Sequence, residues 1–250
     1  MDARGEAPAD PAVHSAAHLA LRGLGLERDG RWLFRELDLA LARGEFLAVV
    51  GPSGVGKSSL LACLAGLLHP SEGRVLYDGP TGPRAPEAMR GRLGLVFQDL
   101  RLVPTSTLLD NVRCGRLGRH HWWATAIGLP ERERAEAYRL LQALGLGAQA
   151  LRWASEASGG EQQRAAIARA LFLEPEVVIA DEPVSALDAD GAARALELLR
   201  QEAGRRGATL VCVLHDRPLV TQFADRVLTL APEAPGGWRL GPVRAAPASS

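Results

Sequence analysis

No apolar run in this 250-residue chain approaches the ~20 residues that carry a helix across a bilayer. The longest, Leu60 to Leu68, ends at His69-Pro70, so a membrane-spanning helix is not expected. Cysteine is scarce: Cys63, Cys114 and Cys212 lie far apart, form no CxxC pair and sit among apolar neighbours. That argues against a disulfide framework or a zinc site, and for small buried hydrophobes in reducing surroundings. An excess of one charge is also lacking, since Lys plus Arg and Asp plus Glu each total 29. No whole-protein field then draws the chain to nucleic acid or anionic lipid, and any membrane association has to be local. The first residues carry Asp2, Glu6 and Asp10 among Ala and Pro, without a basic start and an apolar stretch. No secretory signal is read there, and cytoplasmic residence is the expectation.

What the chain does have is 47% hydrophobic composition, enough for one large domain with a smaller unit embedded in it. Residues 1–17 and 232–250, rich in Ala, Pro, Gly and Ser, are expected to be flexible tails, with the folded domain over 18–231. Short runs of branched aliphatics at Glu45 to Val50, Leu93 to Phe97, Val177 to Ala180, Thr209 to Leu214 and Arg226 to Leu230 read as strands. Most are too continuously apolar for a half-exposed sheet, so helices must cover both faces. Helical patterns follow Lys57 and Asp190, and their alternation with strands predicts an α/β core with a mostly parallel sheet. Residues of about 99–174 lack convincing strands and are expected to form an embedded helical subdomain.

Gly51-Pro52-Ser53-Gly54-Val55-Gly56-Lys57-Ser58 fits G-x-x-x-x-G-K-[ST], directly after a predicted strand and before a predicted helix. The glycines let successive amides point inward at phosphate oxygens, and the helix adds the positive end of its dipole. Lys57 would meet the β- and γ-phosphates, and Ser58 would give a hydroxyl oxygen to Mg²⁺, a hard cation that prefers oxygen. The apolar run Val177 to Ala180 then delivers Asp181 and Glu182 at a strand's carboxyl end, where open α/β sheets bind ligands. Asp181 is expected in the Mg²⁺ shell and Glu182 near the water that attacks the γ-phosphate. These two motifs are shared by kinases, GTPases and motors, so they do not choose among them.

The choice comes from Ser158-Gly159-Gly160-Glu161-Gln162-Gln163-Arg164. Ser158 and Glu161 are spaced as a capping box, and the two glycines let a bulky anion approach the helix end. The segment resembles the signature motif of ABC ATPases, and it lies just upstream of the acid-tipped strand as it does there. The resemblance covers roughly residues 19–230 and implies a P-loop NTPase (RecA-like) core with an N-terminal antiparallel β region. By the same resemblance Gln98 looks like the Q-loop glutamine that contacts Mg²⁺ and water. Ser185-Ala186-Leu187-Asp188 looks like the D-loop, and His215 like the switch histidine. ATP contacts are thereby expected at Gly51 through Ser59, Ser59 included, and at Ser158, Gly159, Gly160, Glu161 and Asp188. Catalysis is expected of Glu182, His215 and Gln98, and Mg²⁺ contacts of Ser58, Gln98 and Asp181.

In that family the serine-glycine helix end caps the ATP held by the opposite subunit. The resemblance therefore implies a homodimer, or a paired ATPase subunit, on the cytoplasmic face of the membrane. It would act on integral-membrane permease subunits and, through them, on a periplasmic or lipid-anchored solute-binding protein; no nucleic acid partner is expected. Two departures stand out. Ala157 replaces the leucine usual before Ser-Gly-Gly, and Arg28 falls where an adenine-stacking aromatic is expected, leaving Trp32, Phe34 or the Arg28 guanidinium as candidates. Leu108 to Val112, Gly115 to Arg119, Trp122-Trp123 and Ala180 to Val184 resemble phosphonate importer ATPases. Trp122 and Trp123 read equally as core or as partner contact, while Arg113, Arg116, Arg119 and His120-His121 read as a solvated face. Rival readings are an ABC ATPase for another cargo, such as amino-acid import, or for a lipoprotein-release or cell-division complex. A soluble ABC ATPase and a P-loop kinase are the more distant ones.

Overall fold

In a computed structural model of the chain, residues 17–79, 81–119 and 131–242 are described. Trp122, Trp123, His120 and His121 lie outside them, as does the expected N-terminal tail up to residue 16. The chain opens with β1 (Leu19–Arg28), β2 (Arg31–Leu41) and β3 (Phe46–Val50), followed by helix α1 (Lys57–Leu64), β4 (Glu72–Tyr77) and β5 (Leu93–Val96). Helices α2 (Leu108–Arg113), α3 (Glu131–Ala143) and α4 (Gly159–Phe172) come next. The last part is β6 (Val177–Asp181), α5 (Ala189–Gly204), β7 (Thr209–Val213), α6 (Arg217–Phe223), β8 (Arg226–Leu230) and β9 (Trp238–Pro242).

Two sheets result. One is antiparallel with order β2-β1-β4; the other has order β5-β6-β7-β3-β8-β9 and is parallel except for the β8–β9 pair. Strands β3, β6 and β7 are apolar without a break because both of their faces are covered. The period of two sends Phe46 and Ala48 of β3 into a core shared with α3, α4 and α5. It sends Leu47 and Val49 into a second core shared with α1 and the antiparallel sheet. Cys63 and Cys212 are buried in these cores and Cys114 is half-buried. Burial pushes the Cys63 thiol up to about 11 and the Cys212 thiol higher still, so neither is reactive near neutral pH.

The expectation for 232–250 needs correction. Residues 238–242 form β9 along the outer edge of β8, and the turn before it is tied to β2 by a bond from the Trp238 indole N–H to the Arg35 carbonyl at 3.0 Å. Composition pointed to a tail because Pro232, Pro235, Gly236 and Gly237 supply a turn whose partners lie some 200 residues away in sequence. Residues 243–250 lie outside the described part. Strand β4 also escaped the apolar count, since Glu72, Gly73 and Arg74 are exposed.

At the sheet's other end His18 is buried, and its Nδ1 lies 2.7 Å from the Thr209 hydroxyl. Thr209 spends its one proton on the Ala42 carbonyl, so Nδ1–H must be the donor. Nε2 then holds a bare lone pair with no partner. Burial, with help from Arg43, lowers the His18 pKa from 6.5 to about 4. The unfolded chain therefore binds a proton that the folded chain refuses. The stability concerned is present above pH 6.5 and is lost as pH falls toward 4, about 3 kcal/mol in all and about 2 kcal/mol of it by pH 5. Urea unfolding at pH 7.5 and pH 5 should show a steeper loss in wild type than in His18→Gln; parallel losses would contradict this account.

Candidate active site

The phosphate-loop residues occupy the bend between β3 and α1. Gly51 has φ 150° and Gly56 φ 112°, conformations that side chains disfavour. A Cβ on Gly51 would lie 2.5 Å from the Leu230 carbonyl oxygen, and one on Gly56 would lie 3.1 Å from Leu33. The loop is thus pressed between β8 and β2. Val55 is buried beneath it, so this residue offers only its backbone outward. Helix α1 begins at Lys57 with Gly56 as N-cap and no side-chain cap, which leaves its first amides for an external acceptor.

Lys57 is 7% exposed, and its ammonium donates to the Gly51 carbonyl at 3.0 Å and the Pro52 carbonyl at 2.8 Å. Those bonds close the loop around a point charge and use two of the three donors of Nζ. Lys57 is also the sole lysine of an arginine-rich chain. The ammonium stands where a planar guanidinium fork could not curl back into its own loop, a signal the motif reading did not use.

A cavity of about 580 Å³ covers the loop, lined by Ser53, Gly54, Gly56, Lys57, Ser58, Ser59, Gln98 and Glu182 together with Arg28, Asp29, Arg31 and Leu33. A neighbouring apolar cavity of about 500 Å³ has Ser58, Gln98 and Asp181 among its lining residues. Serine hydroxyl, amide and carboxylate form an oxygen donor set that suits Mg²⁺. Among the described residues no group of three His, Cys, Asp or Glu is placed to hold a softer metal. Oε1 of Glu182 lies 2.7 Å from Nε2 of His215. Glu182 has φ 51°, left-handed backbone that an ordinary residue adopts at a cost of about 1–2 kcal/mol.

Sequence reasoning missed what holds that backbone. Gln163 on α4 is 3% exposed; its amide donates to the Glu182 carbonyl at 2.8 Å and accepts from the Ala186 amide at 2.8 Å. The available signal was a polar side chain on the face that also carries Ala166, Ile167 and Ala170. Of the aromatic candidates for the base, Phe34 is buried in the core, and Trp32, stacked under the Arg35 guanidinium at 4.5 Å, lines a small cavity beside Pro52, Ser53 and Gly54 and not the one over Lys57. Arg28 does line the cavity.

Ser158, Gly159, Gly160 and Glu161 line neither cavity. The capping box is formed, with the Glu161 amide donating to Ser158 and the Ser158 amide to the Glu161 carboxylate. Gly160 packs against Leu187, and Ser158 and Gly159 are exposed. Asp188, expected at nucleotide, caps α5 by accepting from the Gly191 amide at 2.7 Å. Ala157 is buried, and the Gln162 amide donates to its carbonyl and to that of Ala154. That clamp holds the approach to α4 without a leucine.

The family model described as ABC transporter matches residues 34–185. The chain belongs to the ABC transporter family. It is 38% identical, over 80% of its length and 82% of the relative's, to the phosphonates import ATP-binding protein PhnC of Trichormus variabilis. It is 40% identical, over 85% and 82%, to phosphonates import ATP-binding protein PhnC 1 of Pseudomonas aeruginosa. Among solved structures it resembles an ATP-binding cassette determined as a dimer in a post-hydrolysis state with ADP and Pi. That likeness has TM-score 0.77 and 28% identity and covers 91% of this chain and all of that one. As an ABC family member the chain binds nucleotide. No helix among the described residues is long and apolar enough to cross a membrane.

Gly51 and Gly54 of the loop should separate steric from conformational cost. Gly54 has φ 75° and open space at its Cβ position, so Gly54→Ala should cost about 1 kcal/mol. Gly51→Ala adds the clash with Leu230 and should cost about 3 kcal/mol and weaken nucleotide binding. Urea midpoints and nucleotide titrations check the ranking; equal costs would show that β8 does not press on the loop.

Proposed function

We propose that this chain is the ATP-hydrolysing subunit of an ABC importer for phosphonates or related oxyanions, acting as a dimer on the cytoplasmic face of a membrane. One observation carries the pairing: the exposed Ser158–Gly159 end of α4 lines neither cavity of its own chain. Gly160 packs on Leu187, but Gly159 leaves the exposed Ser158 end open to an approaching group. A second copy related by a twofold axis would bring that end over the Lys57 loop. The dimeric cassette with ADP and Pi supports this arrangement, and the names of the relatives support the cargo.

In this reading the uncapped amides of α1 and the free donor of Lys57 receive the β- and γ-phosphates. Ser58, Gln98 and Asp181 would hold Mg²⁺, which would supply positive charge to the β- and γ-phosphate oxygens as the bond from the γ-phosphorus to the bridging oxygen breaks. Glu182 takes the proton of the attacking water as oxygen bonds to the γ-phosphorus and the bridge to ADP breaks. His215, already paired with Glu182, orients that carboxylate and meets the γ-phosphate. The base lies between Arg28 and the loop, against a guanidinium plane in place of an aromatic ring. A permease helix seated in the 500 Å³ cavity would touch the exposed Leu67 at one end and Gln98 at the other, which couples transport to the site.

Glu182→Gln should bind MgATP, slow turnover by about 10²-fold or more and accumulate a dimer, whereas Lys57→Ala should bind ATP weakly and stay monomeric. Light scattering with saturating MgATP checks this, and a monomeric Glu182→Gln protein would contradict the pairing. Reconstituted with the permease and binding protein of a phosphonate importer, the subunit should turn over ATP faster when organophosphorus solutes are supplied. Stimulation by amino acids alone would contradict the cargo.

A further inference from the structure

The segment that leaves β5 carries Gln98 into both cavities and then turns back through Leu100 and Arg101, with φ 53° and 47°. Two consecutive left-handed residues, neither of them glycine, do not persist unless something holds them. Local bonds, from the Leu100 amide to the Phe97 carbonyl and from the Arg101 amide to the Asp99 carbonyl, close the turn. Arg101 lies over the Phe97 ring at 3.9 Å. The outward carbonyls of the pair go to a single side chain on another element. Arg169 donates through one terminal nitrogen to the Arg101 carbonyl at 2.6 Å and through the other to the Leu100 carbonyl at 2.5 Å. A rigid fork fits two neighbouring acceptors as an ammonium cannot.

Arg169 sits on α4, the helix whose other end presents Ser158 and Gly159. Its own carbonyl is covered by Gly115, where a Cβ would lie 2.5 Å away, so the helix cannot shift there without moving the turn after α2. Burial pushes the guanidinium pKa down, which marks a cation taken out of water for these two bonds.

We infer that Arg169 is the positioning residue that ties the Gln98 segment to α4, so that Gln98 reaches the cavity lined by Ser58 and Asp181 only while the fork grips both left-handed carbonyls. It rests on the role proposed above for Gln98. Displacement of α4 by a partner then releases or retracts Gln98 through one side chain, without rearrangement of the sheet. Arg169→Lys keeps the charge and the stem but reaches one carbonyl; Arg169→Met reaches neither.

The test has two readouts. In the nucleotide-free protein, amide hydrogen exchange over residues 98–103 should be about tenfold faster in Arg169→Met and intermediate in Arg169→Lys, with α4 protection unchanged. In ATP turnover, Gln98→Ala and Arg169→Met should each lose about tenfold, and the double variant should be no slower than Gln98→Ala alone. Multiplying losses, or faster exchange along α4 in place of the loop, would overturn the link and leave the role of Gln98 standing. A Gln98→Ala protein with wild-type turnover would overturn that role and this link together.

Discussion

Every polar side chain that this protein brings to its nucleotide cavities, the arginine-lined wall excepted, hangs from the carboxyl end of a parallel strand. β3 ends in the glycine loop, β5 leads to Gln98, β6 ends in Asp181 with Glu182 next, and β7 leads to His215, which reaches the site through Glu182 and lines an adjoining cavity with it. A parallel ladder aligns those ends at one edge whatever the loops between them do. The burial of β3, β6 and β7 on both faces makes that edge rigid. A shift of register by one residue would swap the two cores and send Glu182 to the opposite face. The chemistry of the edge therefore inherits its precision from apolar packing beneath it.

Positioning of the loops falls largely to helix α4. Gln163 fixes the backbone of Glu182 and Ala186, Arg169 fixes that of Leu100 and Arg101, and the helix N-terminus carries the serine-glycine end. Both strained stretches of the site, at Glu182 and at Leu100–Arg101, are held by side chains of this one element. Strain stored in that way persists only where the surroundings over-determine it, and here the surroundings are side chains of a single helix packed into the core.

The strands of the parallel sheet, the phosphate loop and the acid pair were legible because each is written in consecutive residues. Branched aliphatics without a break, glycines at fixed offsets and acids after an apolar run need no distant partner to be recognised. The unread parts depend on non-local neighbours. Strand β9 is a Gly- and Pro-containing stretch that becomes a strand by pairing with β8 and by anchoring Trp238 on Arg35. Gln163 and Arg169 look like ordinary helix formers until the carbonyls they serve arrive from elsewhere. Phe34 and Trp32 were plausible base platforms by position, but hydrophobic burial claimed the first, and the second lines a smaller cavity beside Ser53 and Gly54.

A single copy of the chain carries one half of each proposed site, the Lys57 loop, and one half of another, the Ser158 end. Subunit mixing tests this most directly: Lys57→Ala protein, which keeps its serine end, is combined with Ser158→Arg protein, which keeps its loop. Each is expected to be inactive alone. The mixture should regain turnover that neither component shows, up to a limit of about a quarter of wild type, reached when pairing is random so that half of the dimers are mixed and each of those holds one intact site. A mixture as inactive as its components would mean that each chain works, or fails, by itself.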